Sequence, residues 1–255
     1  MSKTHIDLTN STILLTGASD GIGKGLADYL LRMGAKVAVH YNSNSVSAEA
    51  MAERYPDTAK AFQADLSQEK EVFSLFEKVV GHFGKIDAII LNAGVFLSHS
   101  STSDTAKWLS VWKKTMAINL DAVGILTKLG LDHFLEMGGG RFVYIGSRAV
   151  FRGETEDYLA YAASKGGLTS LARSVARSFG KQNIKSFIVS PGFTRTRMAE
   201  SFIAVHGEER VLNEIALSEL TRPEDLAPLV ALLCSGEMDH ATGATIDMNA
   251  GSHIR

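Results

Sequence analysis

The sequence predicts a doubly wound α/β fold: one mostly or wholly parallel sheet of about seven strands with helices on both faces. Three observations point there. Short β-branched or aliphatic runs alternate with amphipathic stretches along the chain, several of those runs are apolar at every position, and glycines punctuate the junctions. Runs such as Ile13-Leu14-Leu15 and Ala88-Ile89-Ile90-Leu91 lack the alternation of a half-exposed strand, as expected where helices cover both faces of a sheet.

In chain order, the runs expected as strands are Thr12–Thr16, Lys36–Tyr41, Lys60–Ala64, Ile86–Leu91, Arg141–Gly146, Lys185–Ser190 and Ala244–Met248. Helical periodicity is expected over Ile22–Met33, Lys70–His82, Val111–Met137, Tyr158–Phe179 and Pro223–Cys234. Gly34, Gly84, Gly138-Gly139-Gly140 and Gly180 stand at the expected helix ends, where a positive φ is needed. The 255 residues are 45% hydrophobic and 21% charged with only 4 Pro, enough for a packed core and unlike a disordered chain. No linker or repeat divides them, so residues 1–255 are expected to form a single domain. The lone Cys234 cannot make an internal disulfide, Met1–Asn10 has no apolar signal core, and no apolar run approaches the roughly 18 residues of a membrane span. A cytoplasmic protein without membrane attachment is the expectation. Twenty-six Lys+Arg against 28 Asp+Glu leave a net charge of −2, no footprint for nucleic acid. The 8 His show no ligand spacing, so no metal is expected.

The first strand runs into Thr16-Gly17-Ala18-Ser19-Asp20-Gly21-Ile22-Gly23 and then a helix. Glycines there let the backbone approach a pyrophosphate, and the free N–H groups at the positive helix end attract its charge. An ordinary strand-to-helix turn also favours glycine. The same residues match G-x-S-x-G, the nucleophile elbow of serine hydrolases, and Asp225 followed by His240 or His253 would complete that chain order. A serine hydrolase using Ser19 is therefore the alternative, and a non-catalytic dinucleotide sensor is another.

Tyr161 and Lys165 are spaced i, i+4 in a helical stretch and project from one face. A lysine ammonium, with the charge of an oxidised nicotinamide, lowers a tyrosine pKa, so Tyr161 is a candidate acid/base for hydride chemistry. Chance helical spacing on a surface would give the same pair. Ser147 ends an expected strand at the carboxyl edge of the sheet, where its hydroxyl can meet a developing oxyanion, though a lone serine there is also an ordinary turn residue. Asn119, a poor helix former among apolar neighbours, must be paired if buried, with a water or a backbone carbonyl. Trp108 with Trp112, and Cys234, read as packing.

Taken together, the Thr16–Gly23 motif, Asp65, Asn92-Ala93-Gly94, Asn119, Ser147, Tyr161 with Lys165, and Pro191-Gly192 resemble the short-chain dehydrogenase/reductase family in its shorter branch. The resemblance runs from about Thr12 to Gly251. It implies a Rossmann-type fold and an NAD(P)-dependent oxidoreductase interconverting a carbonyl and a secondary alcohol. Tyr161 would be the acid/base, Ser147 would polarise the substrate oxygen, Lys165 would hold the nicotinamide ribose and depress the tyrosine pKa, and Asn119 would hold a water of the proton relay. Cofactor contacts are implied at Gly17, Ser19, Asp20, Gly21, Ile22 and Gly23, and at Tyr41, Asn42 and Ser43. Further contacts are Asp65, Leu66, Asn92, Ala93, Gly94, Tyr161, Lys165, Pro191, Gly192, Thr194 and Thr196. A homo-oligomer, by family a tetramer through the long helices, is also implied.

Three features depart from the family pattern. Leu91 replaces a usual asparagine before Asn92, the Ser147-to-Tyr161 gap is one residue longer than the commonest, and the bulky Arg148, expected to shape the substrate or pair with Glu154, Glu156 or Asp157, adjoins the serine. The second strand ends His40-Tyr41-Asn42-Ser43-Asn44 without the carboxylate that selects NAD, which favours NADP, although Asp20 would oppose its phosphate. The substrate is expected against loops bearing Phe96, Leu97, Phe151 and Phe193 and Arg148, Arg152, Arg195 and Arg197. A 3-oxoacyl thioester and a sugar or polyol are both consistent with these.

Overall fold

A computed structural model describes residues 6–255. The side chains of Met198, Ser201, Phe202, Val205 and His206, and Met1–His5 with the part of the N-terminal reading that falls on them, lie outside the described residues. The strands are β1 (Thr12–Leu15), β2 (Lys36–Tyr41), β3 (Ala59–Gln63), β4 (Ala88–Leu91), β5 (Gly140–Ile145), β6 (Ile184–Pro191) and β7 (Thr245–Met248). They form one sheet in the order β3-β2-β1-β4-β5-β6-β7, parallel at every pairing. The helices are α1 (Gly21–Arg32), α2 (Ser45–Arg54), α3 (Glu69–Phe83), α4 (Thr105–Met116), α5 (Ala122–Met137), α6 (Ala149–Arg152), α7 (Leu159–Phe179), α8 (Arg197–His206), α9 (Glu208–Leu212) and α10 (Pro223–Ser235).

Alternate residues of each central strand feed two cores. Ile13, Leu15, Ala88, Ile90, Val143 and Ile145 pack with α1 and α10 on one face. Leu14, Ile89, Leu91, Phe142 and Tyr144 pack with α3, α5 and α7 on the other. This is why the strands read as unbroken apolar runs: neither face meets water. Cys234 is core, and burial pushes its thiol up to about 12.

Three expectations need correction. The segment expected as one helix from Val111 to Met137 begins earlier, at Thr105, because Asp104 accepts the Lys107 N–H at 2.9 Å and caps it there. It is also interrupted: Ala117–Asp121 is a π turn in which the Ala122 N–H reaches back to the Ala117 carbonyl. Neither Gly140 nor Gly180 takes a positive φ: Gly140 already belongs to β5, and Gly180 opens a 3₁₀ turn, with Asn183 at φ 60° making the reversal instead. The helix α2 was not expected, since it buries only Ala48 and Met51 and is held by its Asn44 cap. No helix among the described residues is long and apolar enough to cross a membrane.

Candidate active site

Strand order reverses between β1 and β4, and outside the carboxyl ends of the strands lies a cleft of about 660 Å³. Its dinucleotide side is built on the turn between β1 and α1. Gly17 and Gly21 have φ of 64° and 51°, and a Cβ on Gly23 would stand 2.0 Å from the Gly17 carbonyl oxygen. Asp20 caps α1, accepting from the Gly21 N–H at 2.8 Å. Asn92 fixes this turn from the neighbouring strand by donating its side-chain amide to the Thr16 and Gly17 carbonyls at 2.9 and 3.0 Å. His40 holds it from the other side. Its Nδ1 accepts the Gly17 N–H at 2.9 Å, and its Nε2–H donates to the Ala64 carbonyl at 3.0 Å. That pairing fixes a neutral tautomer, and burial lowers the pKa to about 4.

The expected residues Gly17, Ser19, Asp20, Gly21, Ile22, Gly23, Asn42, Ser43, Asp65, Leu66, Asn92, Ala93 and Gly94 line the cleft. So do Ser147, Tyr161, Lys165, Pro191, Gly192, Thr194 and Thr196. Tyr41 does not: side chains alternate along β2, so His40 and Asn42 face the cleft while the Tyr41 ring packs on the core. Asn119 does not line it either. From the π turn, its Oδ1 accepts the Val95 N–H at 2.8 Å and its Nδ2 donates to the Val95 carbonyl at 2.9 Å and the Ser164 hydroxyl at 3.2 Å. The side chain expected to hold a water is thus a staple on the backbone that borders the cleft.

At the far end, α7 presents Tyr161 and Lys165 on one face. The Lys165 ammonium donates to the Ile145 carbonyl at 2.7 Å and lies 6.0 Å from the Tyr161 ring centre. Burial lowers its pKa to about 8. Ser147 stands beside the Tyr161 hydroxyl in the cleft, and its Oγ accepts the Ala149 N–H at 3.1 Å. Lys165, expected to pull the tyrosine down, does not prevail among the protein's own groups: burial raises the Tyr161 pKa, the Ser147 side chain opposes this, and the charge of Glu154 adds to the rise. The phenol is held protonated.

Several cleft residues were not singled out for these places. Arg148 is buried, but its partner is Glu214 at 2.9 Å, not an acidic residue of its own loop. Its guanidinium also lies 5.2 Å from the Phe193 ring centre. Glu154 lines the cleft from the same loop, Phe96 stands edge-on to Tyr161 at 4.7 Å, and Arg197 pairs with Asp20 across the mouth. Only the polar residues after the serine hinted at this, since partners many residues apart leave no periodic signal. Among the described residues the hydrolase alternative finds no base at Ser19: His40, an imidazole lining the cleft, spends both ring nitrogens on backbone groups.

Comparison with known proteins agrees with the geometry. Residues 17–253 match the family model described as enoyl-(acyl carrier protein) reductase. The chain is 28% identical to a 3-oxoacyl-(acyl-carrier-protein) reductase of Vibrio cholerae, over 98% of this chain and 100% of that one. It is 30% identical to an oxidoreductase of Bacillus subtilis described as uncharacterized, over 96% and 99% of the two chains. A crystal structure provisionally named gluconate dehydrogenase, from Agrobacterium tumefaciens, superposes with a TM-score of 0.87 at 23% identity, covering 97% of this chain and 98% of that one, and shows the shared fold. With the glycine turn, the Ser147, Tyr161 and Lys165 cluster and these matches in hand, the chain belongs to the short-chain dehydrogenase/reductase family, as an NAD(P)-dependent oxidoreductase of carbonyls and alcohols.

Proposed function

We propose that the protein reduces a small ketone to a secondary alcohol with NADPH, and that Tyr161 donates the proton. The observation that carries this is the Tyr161 hydroxyl, beside Ser147 in the cleft and kept protonated by burial, on the same helix face as the Lys165 ammonium. The cleft fits a dinucleotide, since the turn from Gly17 to Gly23 admits no Cβ at Gly23 and ends on the capped N-terminus of α1. Gly17, Ser19, Gly21, Ile22 and Gly23 would hold the pyrophosphate, Asp65 and Leu66 the adenine, Lys165 the nicotinamide ribose, and Thr194 and Thr196 the nicotinamide side. The bound nicotinamide supplies the hydride. Ser147 then orients the substrate carbonyl, and the Tyr161 O–H transfers its proton to the oxygen on which negative charge develops. Lys165 stabilises the phenolate that is left. Asn119 keeps Val95, at the rim of the cleft, in place.

The preference for NADPH is supported by the absence of a carboxylate from the loop after β2, where Asn42 and Ser43 are exposed. Asp20, the charge that would oppose a 2′-phosphate, carries Arg197 as counter-ion. The names of the curated relatives support a 3-oxoacyl thioester as one substrate class. We place the protein in the cytoplasm as a single-domain homotetramer; the exposed Leu135 and Leu159 on the long helices α5 and α7 support the assembly.

Calorimetric titration with NADPH and NADH, followed by ketone-dependent oxidation of the tighter binder, tests this reading. Tighter NADPH binding and ketone-dependent turnover are expected. Binding of neither dinucleotide contradicts it. The pH profile sharpens the test: the Lys165 ammonium is lost as pH rises through about 8, so ketone reduction falls there, and Lys165→Met removes that step from the profile.

A further inference from the structure

The loop that follows Ser147 turns through α6 and Gly153, at φ 79°, and brings Glu154 back to the cleft beside Ser147 and Tyr161. Its side chain is only 13% exposed, and its ion pair, with Arg152, is a long one at 4.0 Å. The two arginines of this loop are held more closely by another carboxylate. Glu214 takes Arg148 at 2.9 Å and Arg152 at 3.0 Å, and Glu214 lies outside the cleft. The Thr155 backbone N–H lies near the Glu154 carboxylate, which offers about four acceptor positions. Its charge reaches the Tyr161 hydroxyl, so it lies within electrostatic range of the reacting oxygen. Glu154 lines the cleft, where a substrate can bring a donor to the acceptor positions left over.

We propose that Glu154 selects the substrate by accepting a hydrogen bond from a hydroxyl on the carbon beside the carbonyl, so that the protein acts on neutral hydroxy ketones in preference to keto acids. This rests on the reading of Ser147 and Tyr161 as the site of carbonyl chemistry. The hydroxy ketone gains a hydride at carbon from NADPH and a proton at oxygen from Tyr161, giving a vicinal diol and NADP⁺. A ketone without the hydroxyl leaves Glu154 short of a donor, and a keto acid sets a second negative charge against it. Arg148 and Arg152 already share their charge with Glu214, which leaves only part of it to offset a further carboxylate.

Three ketones on one four-carbon skeleton separate the possibilities: 1-hydroxy-2-butanone, 2-butanone and 2-oxobutanoate, each with NADPH and with NADH. The wild type is expected to show a kcat/KM about tenfold or more higher for the hydroxy ketone than for 2-butanone, with the keto acid poorest. Glu154→Ala should collapse the hydroxyl preference, and Glu154→Gln should raise 2-oxobutanoate about tenfold relative to the hydroxy ketone. Intrinsic reactivity of each ketone cancels between wild type and variant, and a general folding defect does not move the ratios. Equal use of 1-hydroxy-2-butanone and 2-butanone, or the keto acid as best substrate, overturns the proposal in the wild type alone, as does preference unchanged in the variants. Failure to reduce the hydroxy ketone overturns it too: if 2-butanone is still reduced, the ketone-reductase reading stands without Glu154, and if none is reduced with either cofactor, both readings fall.

Discussion

On the dinucleotide side of the cleft the fixing contacts end on backbone groups: the neutral Asn92 amide and His40 imidazole, and the Asp20 carboxylate, paired with Arg197, on the N–H of Gly21. On the substrate side they are ionic and join loops distant in sequence, Arg148 and Arg152 with Glu214, and Arg195 with Glu208. Neutral bonds to the backbone fix geometry regardless of salt and ask nothing of the ligand. Ion pairs between loops hold a wall that a change of one residue can recharge. One half is a socket for a constant group and the other an adjustable surface for a variable one.

The sharpest way to break this comparison is acid. His40 has a folded pKa of about 4, below its ordinary 6.5, so from pH 6.5 downwards the unfolded chain binds a proton that the folded chain refuses. Its stabilising effect is complete above pH 6.5 and is lost as pH falls through 4, at an upper limit of about 3 kcal/mol. Denaturant unfolding of wild type and His40→Gln across that range should show the wild type falling more steeply; parallel slopes would remove His40 from its place. Next in size is Gly23→Ala. Its Cβ displaces the Gly17 carbonyl or the Asn92 amide, costing about 2 kcal/mol, or roughly 30-fold in NADPH affinity by calorimetry. Unchanged affinity would mean that the turn does not hold the cofactor.

Smaller effects belong to the ionic half. Glu214→Gln leaves buried Arg148 without its carboxylate, so stability should drop by about 1.5 kcal/mol while NADPH affinity stays the same. A loss of affinity instead would show that the two sides are not separable. At the lower end, Arg54→Ala breaks an exposed pair with Asp28 and should shift the unfolding midpoint by less than about 0.5 kcal/mol of stability. A larger shift would show that surface ion pairs carry weight here.

The same division explains what could be read before the fold was known. Strands buried on both faces announce themselves as apolar runs, and the glycine turn and the Tyr161 and Lys165 spacing are local, so the sheet and most of the dinucleotide side were legible. Along β2 the Tyr41 ring packs on the core while His40 and the expected contact Asn42 line the cleft, and strand alternation alone would have separated them. Asn119 was recognised as needing partners, but the π turn that aims it at Val95 depends on tertiary contacts. Arg148 and Glu214 stand 66 residues apart with no periodicity to link them, and Glu154 acquires its place only when the loop folds back.

Tyr161→Phe tests the central claim most directly, when cofactor affinity and turnover are both measured on the same preparation. The account predicts NADPH affinity within about threefold of wild type, because the dinucleotide side is fixed without the phenol, and a loss of ketone reduction of about 10²- to 10⁴-fold. Turnover that survives the substitution would contradict the role of Tyr161.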